Sequence, residues 1–137
     1  MRTIVVLRGG IMQRNRSRKR EAIIEKIRST DTHPSAEWIY HELKPEITDL
    51  SMGTVYRNLA MFKEDQLIMS VGTVAGQERF DGNIQPHGHF VCNGCHSIID
   101  VELPVKESML VNQLEESKPF MVEKVDLTFY GNCNSCL

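Results

Sequence analysis

The chain has 137 residues, 41% of them hydrophobic and 25% charged, with a formal net charge of −2. That length admits one ordinary domain or two small ones and excludes anything larger. No run is long and apolar enough to span a membrane, and Ile4-Val5-Val6-Leu7, followed by Arg8 and a glycine pair, is too short for an export signal. A soluble, cytoplasmic protein without a membrane partner is expected. The small net charge conceals a division. Residues 1–30 carry nine Lys/Arg against two Glu, about +7, and residues 31–137 carry seven against sixteen, about −9. The run Arg14-Asn15-Arg16-Ser17-Arg18-Lys19-Arg20 is dense enough to neutralise phosphates, although a solvated helix start has the same composition.

The first half reads as helices joined by short turns. Ile23, Ile24 and Ile27 fall on one face at helical spacing. Pro34-Ser35-Ala36-Glu37 predicts a second helix with Pro34 in its first turn, Trp38, Ile39 and Leu43 as its apolar positions and Pro45 as its end. A third begins after Leu50, with Ser51 as N-cap, a stripe of Val55, Leu59 and Phe62, and Thr54, Tyr56, Arg57 and Asn58 on the other face. Residues 67–80 are β-type, punctuated by Gly72 and Gly76, which suits a two-stranded wing. Three helices and a hairpin compose a winged helix-turn-helix whose third helix enters the major groove. Periodicity alone fits a plain core helix equally well.

Asp81-Gly82-Asn83-Ile84-Gln85-Pro86 carries the breakers of a hinge. Beyond it, residues 89–92 and 97–103 read as strands and 105–117 as a helix with Met109, Leu110 and Leu114 apolar. Residues 120–130 alternate, with Val125, Leu127 and Phe129 on one face. The expected class is α+β: a winged-helix DNA-binding domain over 1–81, a hinge at 82–86, and a small α/β dimerisation and metal-binding domain over 87–137. Residues 1–11 read as a flexible extension, with Met12 as an alternative start. A domain of about fifty residues buries little core, and structural zinc and self-association are the usual remedies.

The four cysteines stand in two pairs of identical spacing, Cys92-Asn93-Gly94-Cys95 and Cys133-Asn134-Ser135-Cys136. Two CxxC knuckles complete a closed Zn²⁺–S₄ site. Two disulfides would need an oxidising compartment. A thiol–disulfide enzyme needs a reactive CxxC in a thioredoxin-like unit, and a zinc deaminase needs a Glu that His87-Gly88-His89 lacks. Around the first pair lies a harder set, Asp81, His87, His89 and Asp100, suited to a different metal. His87 and His89 project from one strand face, and Asp100 approaches from the next strand, with Glu102 its rival. No further nucleophile or carboxylate is placed to act as a general base, so no enzyme is expected.

The segments Ser51-Met52-Gly53-Thr54-Val55-Tyr56-Arg57-Asn58-Leu59, Arg79-Phe80-Asp81, His87-Gly88-His89-Phe90-Val91-Cys92-Asn93-Gly94-Cys95 and Tyr130-Gly131-Asn132-Cys133 together resemble the ferric uptake regulator family, over nearly the whole chain. The resemblance implies a homodimeric, metal-dependent transcriptional repressor that binds double-stranded operator DNA. It matches Cys92, Cys95, Cys133 and Cys136 to structural zinc and His33, Asp81, His87, His89 and Asp100 to a regulatory metal. Such a set of three imidazoles and two carboxylates suits Fe²⁺ or Mn²⁺ with one position open. Aspartate at 100 resembles the peroxide-sensing branch, which implies that His33 or His87 is the group oxidised. The alternative is an iron- or zinc-responsive regulator acting as an equilibrium sensor. Val125 stands where many iron sensors carry a further histidine ligand, so that site is not expected. For DNA, Arg16, Arg18 and Lys19 are assigned to phosphates, and Ser51, Thr54, Tyr56, Arg57 and Asn58 to the recognition helix.

Overall fold

The structure, a computed structural model, describes residues 10–117 and 119–137, with side chains from residue 18 onward. The side chain of Arg16 and residues 1–9 therefore lie outside what the structure describes. The chain divides into two compact units, one ending at Ile84 and the other running Gln85–Leu137.

In the first unit, α1 (Gly10–Arg28), α2 (Ala36–Leu43) and α3 (Met52–Glu64) precede a hairpin of β1 (Met69–Val74) and β2 (Gln77–Asp81). α1 buries Ile23, Ile24 and Ile27 and α3 buries Val55, Leu59 and Phe62, the stripes that their sequences mark; α2 buries Ile39 and Leu43 as expected, with Ala36 buried beside them and Trp38 only half-buried. Ile47, Leu50, Ile68 and Phe80 close the same cluster. The caps are local. Ser35 Oγ accepts from the Trp38 amide at 3.2 Å, and Ser51 Oγ accepts from the Thr54 amide at 3.1 Å. Ser35 thus takes the cap of α2, and Pro34 lies one residue before it instead of in the first turn. Lys26 and Arg28 end α1, where positive charge complements the helix dipole. The hairpin turns through Ala75 and Gly76, both at positive φ (52° and 82°), between the paired residues Val74 and Gln77. Two consecutive left-handed residues make the tight turn whose twist matches paired strands, and glycine takes that conformation without strain.

In the second unit, β3 (Gly88–Cys92) is the centre of a three-stranded sheet, antiparallel to β4 (Ile98–Val101) and parallel to β5 (Thr128–Gly131). α4 (Glu107–Ser117) connects β4 to β5 in sequence, and a 3₁₀ turn, Asn134–Cys136, ends the chain. One expectation changes. Residues 121–127 are not strand, because β3 pairs only with Thr128 onward and a chain without a ladder partner has nothing to hold it extended. Met109 and Leu114, two of the apolar positions marked on α4, are more than half exposed. Among the described residues of this unit, only Val91, Cys92 and Ile98 are buried and apolar. Three residues are not a core.

Candidate metal centre

The two cysteine knuckles meet. The four Sγ atoms all lie within 4.8 Å of one another, with Cys95 and Cys133 at 3.7 Å. Zn–S bonds of about 2.3 Å in a tetrahedron put sulfurs about 3.8 Å apart, so the tetrad matches that geometry. The first knuckle hangs from the end of β3, where the Cys92 amide donates to the Ser97 carbonyl and the Asn93 amide to the Gly131 carbonyl at 2.7 Å. The second bond brings β5, and hence Cys133 and Cys136, against it. Gly94 permits the closure: a Cβ there would lie 2.9 Å from Cys136 Sγ.

The sulfurs are prepared unequally. Backbone N–H groups of Cys95 and Cys133 point at Cys92 Sγ and lower its pKa to about 6. The Ser97 hydroxyl, 3.1 Å from Cys95 Sγ, holds that thiol below its ordinary value as well. Cys136, beside the sulfurs of Cys92 and then Cys133, is pushed up to about 12. Four thiolates at this spacing repel one another unless a cation neutralises them, and a soft four-sulfur set selects Zn²⁺.

The second unit also carries an imidazole pair on one carboxylate. His89 stands directly opposite Asp100 in the β3–β4 register, and their Nε2 and Oδ1 are 3.4 Å apart. His87, just before β3, places its Nε2 3.1 Å from the same oxygen, with the two rings 4.4 Å apart. Its Nδ1 lies 2.6 Å from the Gln85 carbonyl, which can only accept, so Nδ1 carries the proton. In neutral His87, Nε2 then presents a lone pair to the Asp100 oxygen. A cation between them turns that opposition into coordination, and the carbonyl on Nδ1 is how metal-binding imidazoles are oriented. Glu102, the rival carboxylate, lies exposed beyond the end of β4.

The first unit holds a second imidazole–carboxylate pair. His33 and Asp81, both buried, approach at 3.2 Å between Nε2 and Oδ2. Asp81 ends β2, and its Oδ1 accepts from the Asn83 amide. His33 sits at φ 56°, a left-handed conformation that costs a non-glycine residue on the order of 1–3 kcal/mol and persists only where its surroundings fix it. Sequence reasoning missed one residue that matters to the cysteine tetrad, Gly94, which acts through a missing atom and so has no ligand's signature.

On α3, Tyr56 and Arg57 are exposed. The Tyr56 hydroxyl donates to Glu37 Oε2 at 3.1 Å, and Arg57 Nη2 donates to Thr54 Oγ1 at 3.1 Å. Thr54 and Asn58 are half-buried, with Asn58 donating to the Thr54 carbonyl, while Ser51 serves the cap. Arg18 reaches the Glu46 carbonyl, and Lys19 is held by Asp49, 3.2 Å from its carboxylate. No helix among the described residues is long and apolar enough to cross a membrane.

The chain is similar to known proteins over most of its length. The model of the ferric uptake regulator family matches residues 13–130. The peroxide-responsive repressor PerR of Staphylococcus aureus is 32% identical over 123 residues, covering 86% of this chain and 79% of that one. The Campylobacter jejuni peroxide stress regulator superposes with a TM-score of 0.78 at 24% identity, over 93% of this chain and 95% of that chain. The ferric uptake regulator Fur of Helicobacter pylori, which has three functional metal-binding sites, gives 0.76 at 23% identity, over 93% and 87%. Since the family model matches residues 13–130, most of its length, this chain belongs to the ferric uptake regulator family, whose members are metal-responsive transcriptional regulators and not enzymes.

Proposed function

We propose that this protein is a homodimeric, metal-dependent repressor that binds operator DNA in the cytoplasm and senses hydrogen peroxide by oxidation of a histidine ligand. The observation that carries this reading is Asp100, the short carboxylate facing both His87 and His89. The peroxide-responsive relative in Staphylococcus aureus supports it.

In this reading Cys92, Cys95, Cys133 and Cys136 hold Zn²⁺ and keep the second unit folded. His33, Asp81, His87, His89 and Asp100 are the ligands assigned to the regulatory Fe²⁺ or Mn²⁺. A metal bound more tightly by one conformation of the protein shifts the population toward it, in this reading the one that binds DNA. Fe²⁺ held by these residues would supply the redox chemistry that splits peroxide, with one oxygen atom going to an imidazole and the other leaving as water. His33 or His87 is the group that gains oxygen, and an oxidised imidazole no longer offers its lone pair. The ligand set falls short and the DNA-binding arrangement loses its advantage. A purely metal-responsive regulator would use the same ligands without that chemistry. Exposing anaerobic, Fe²⁺-loaded protein to peroxide and weighing its peptides separates the two. A gain of about 16 mass units on the peptide of His33 or His87 supports sensing by oxidation, and unmodified peptides after loss of DNA binding contradict it.

The three helices and hairpin of the first unit serve, in this reading, as a winged helix with α3 in the major groove. Tyr56 and Arg57 are its exposed readers. Arg18 contacts phosphate, whereas Lys19, paired with Asp49, mainly ties α1 to the loop before α3. Arg57→Ala should weaken operator binding on the order of 10–100-fold and relax preference at one base pair while sparing non-specific binding. Arg18→Ala should weaken both and lower the salt dependence by about one phosphate contact. Binding isotherms at several salt concentrations distinguish them, and equal effects from both changes would mean that α3 is not the reading element.

A further inference from the structure

The residue that gives His33 its conformation lies on the neighbouring strand. Arg79, in β2, donates from Nε to the His33 carbonyl and from Nη2 to the Thr32 carbonyl at 2.8 Å. Successive carbonyls of extended chain point to opposite sides, so one guanidinium can take both only where the backbone turns. His33 at φ 56° supplies that turn. The strand next to it is pinned by backbone as well. The Phe80 amide donates to the Pro34 carbonyl at 3.0 Å, and Ser35 bridges to Arg79. Thr30 Oγ1 accepts from the Thr32 amide and orders the approach to the turn. Asp81, the partner of His33, follows Arg79 by two residues on the same strand. One short strand therefore sets both the carboxylate and the backbone that aims the imidazole at it.

We infer that Arg79 is a positioning residue for the regulatory metal: its planar fork grips the Thr32 and His33 carbonyls, locks His33 in the left-handed conformation and thereby fixes the imidazole against Asp81. Arg79 touches neither metal nor peroxide in this role. A planar donor pair is required, because lysine offers a point charge that can satisfy one carbonyl well but cannot hold two in fixed relation. The inference rests on the proposed use of His33 as a regulatory ligand.

The test compares the full-length parent with Arg79→Lys and Arg79→Gln, each loaded with zinc and shown to be folded by circular dichroism and by the fluorescence of Trp38. Mn²⁺ alone is titrated first, and Fe²⁺ with limiting peroxide follows, with oxidation measured separately on the peptides of His33 and His87. Both variants should bind Mn²⁺ on the order of 10–100-fold more weakly, as loss of an outer-shell partner does. At Fe²⁺ concentrations that restore occupancy, the ratio of oxidised His33 to oxidised His87 should fall several-fold. Arg79→Lys should retain more of that ratio than Arg79→Gln. A general loss of stability would lower both oxidations together and leave the ratio alone. Folded variants with the parent's ratio and the parent's Mn²⁺ affinity overturn the inference. A parent that neither binds Mn²⁺ nor oxidises at either histidine overturns the functional reading beneath it, and the inference with it.

Discussion

Cys95→Ser is expected to abolish the folded second unit and with it the dimer, while the first unit survives. The reasoning is one of scale. The first unit carries thirteen clustered buried apolar residues, whereas in the second only Val91, Cys92 and Ile98 are buried and apolar among those described. One of those three is itself a sulfur of the tetrad. Structural zinc contributes apparent folding energy of about 10–16 kcal/mol, as large as the net stability of a whole domain, about 5–15 kcal/mol. Replacing a thiolate by a hydroxyl removes most of that affinity. Size-exclusion chromatography, zinc content and circular dichroism together report the outcome. Expected are a zinc-free monomer, loss of sheet signal and retention of the helical signal from α1, α2 and α3. A soluble, zinc-free Cys95→Ser dimer with full secondary structure would remove the assignment. Acid should act in the same direction. Zinc binds thiolates, so protons compete with it for all four sulfurs. Acid titration of the zinc-loaded protein should therefore release zinc and the sheet signal of the second unit together.

Asp100→Glu is expected to separate sensing from folding. The substitution keeps the charge, adds one methylene and leaves the cysteine tetrad untouched, so the protein should stay folded, dimeric and able to bind metal and operator. What changes is the carboxylate position relative to His87 and His89, now 3.1 and 3.4 Å from one Asp100 oxygen. Oxidation of His33 or His87 by Fe²⁺ and peroxide should slow on the order of tenfold or more, because outer and inner ligand geometry tunes metal reactivity. Glu102→Ala should have little effect on metal-dependent DNA binding, whereas Asp100→Ala should abolish it. Parent-like oxidation in Asp100→Glu would mean that position 100 does not confer peroxide sensitivity. The reverse ranking of the two alanine variants would make Glu102 the ligand.

How much of this was legible in the sequence depended on how local each signal is. The stripes of α1, α2 and α3, the Ser51 cap and the turn at Gly76 are written within a few residues, and the structure shows them where periodicity and turn chemistry place them. The cysteine tetrad is legible for the same reason, since each CxxC makes its own knuckle and only the meeting of the two is non-local. Alternation over residues 120–127 misled, because alternation marks a face but not a partner strand, and β3 has its free edge occupied only from Thr128. The apolar side of α4 was legible as a stripe, yet among the described residues Met109 and Leu114 stay more than half exposed. A face that a second copy would cover looks, in sequence, like any core face. His33 was reached only through the family resemblance. Its pairing with Asp81 depends on a backbone turn held by Arg79, and no spacing rule encodes that contact.

The central claim is that one event, oxidation of a histidine ligand, releases the operator. Peroxide titrated into the Fe²⁺-loaded protein–operator complex under anaerobic conditions, with release and histidine oxidation measured on the same samples, tests it most directly. The two curves should coincide, the Mn²⁺-loaded complex should stay bound across the same range, and fresh metal should not restore binding. Release that precedes any gain of mass on the His33 and His87 peptides, or that fresh Fe²⁺ reverses, would contradict the account.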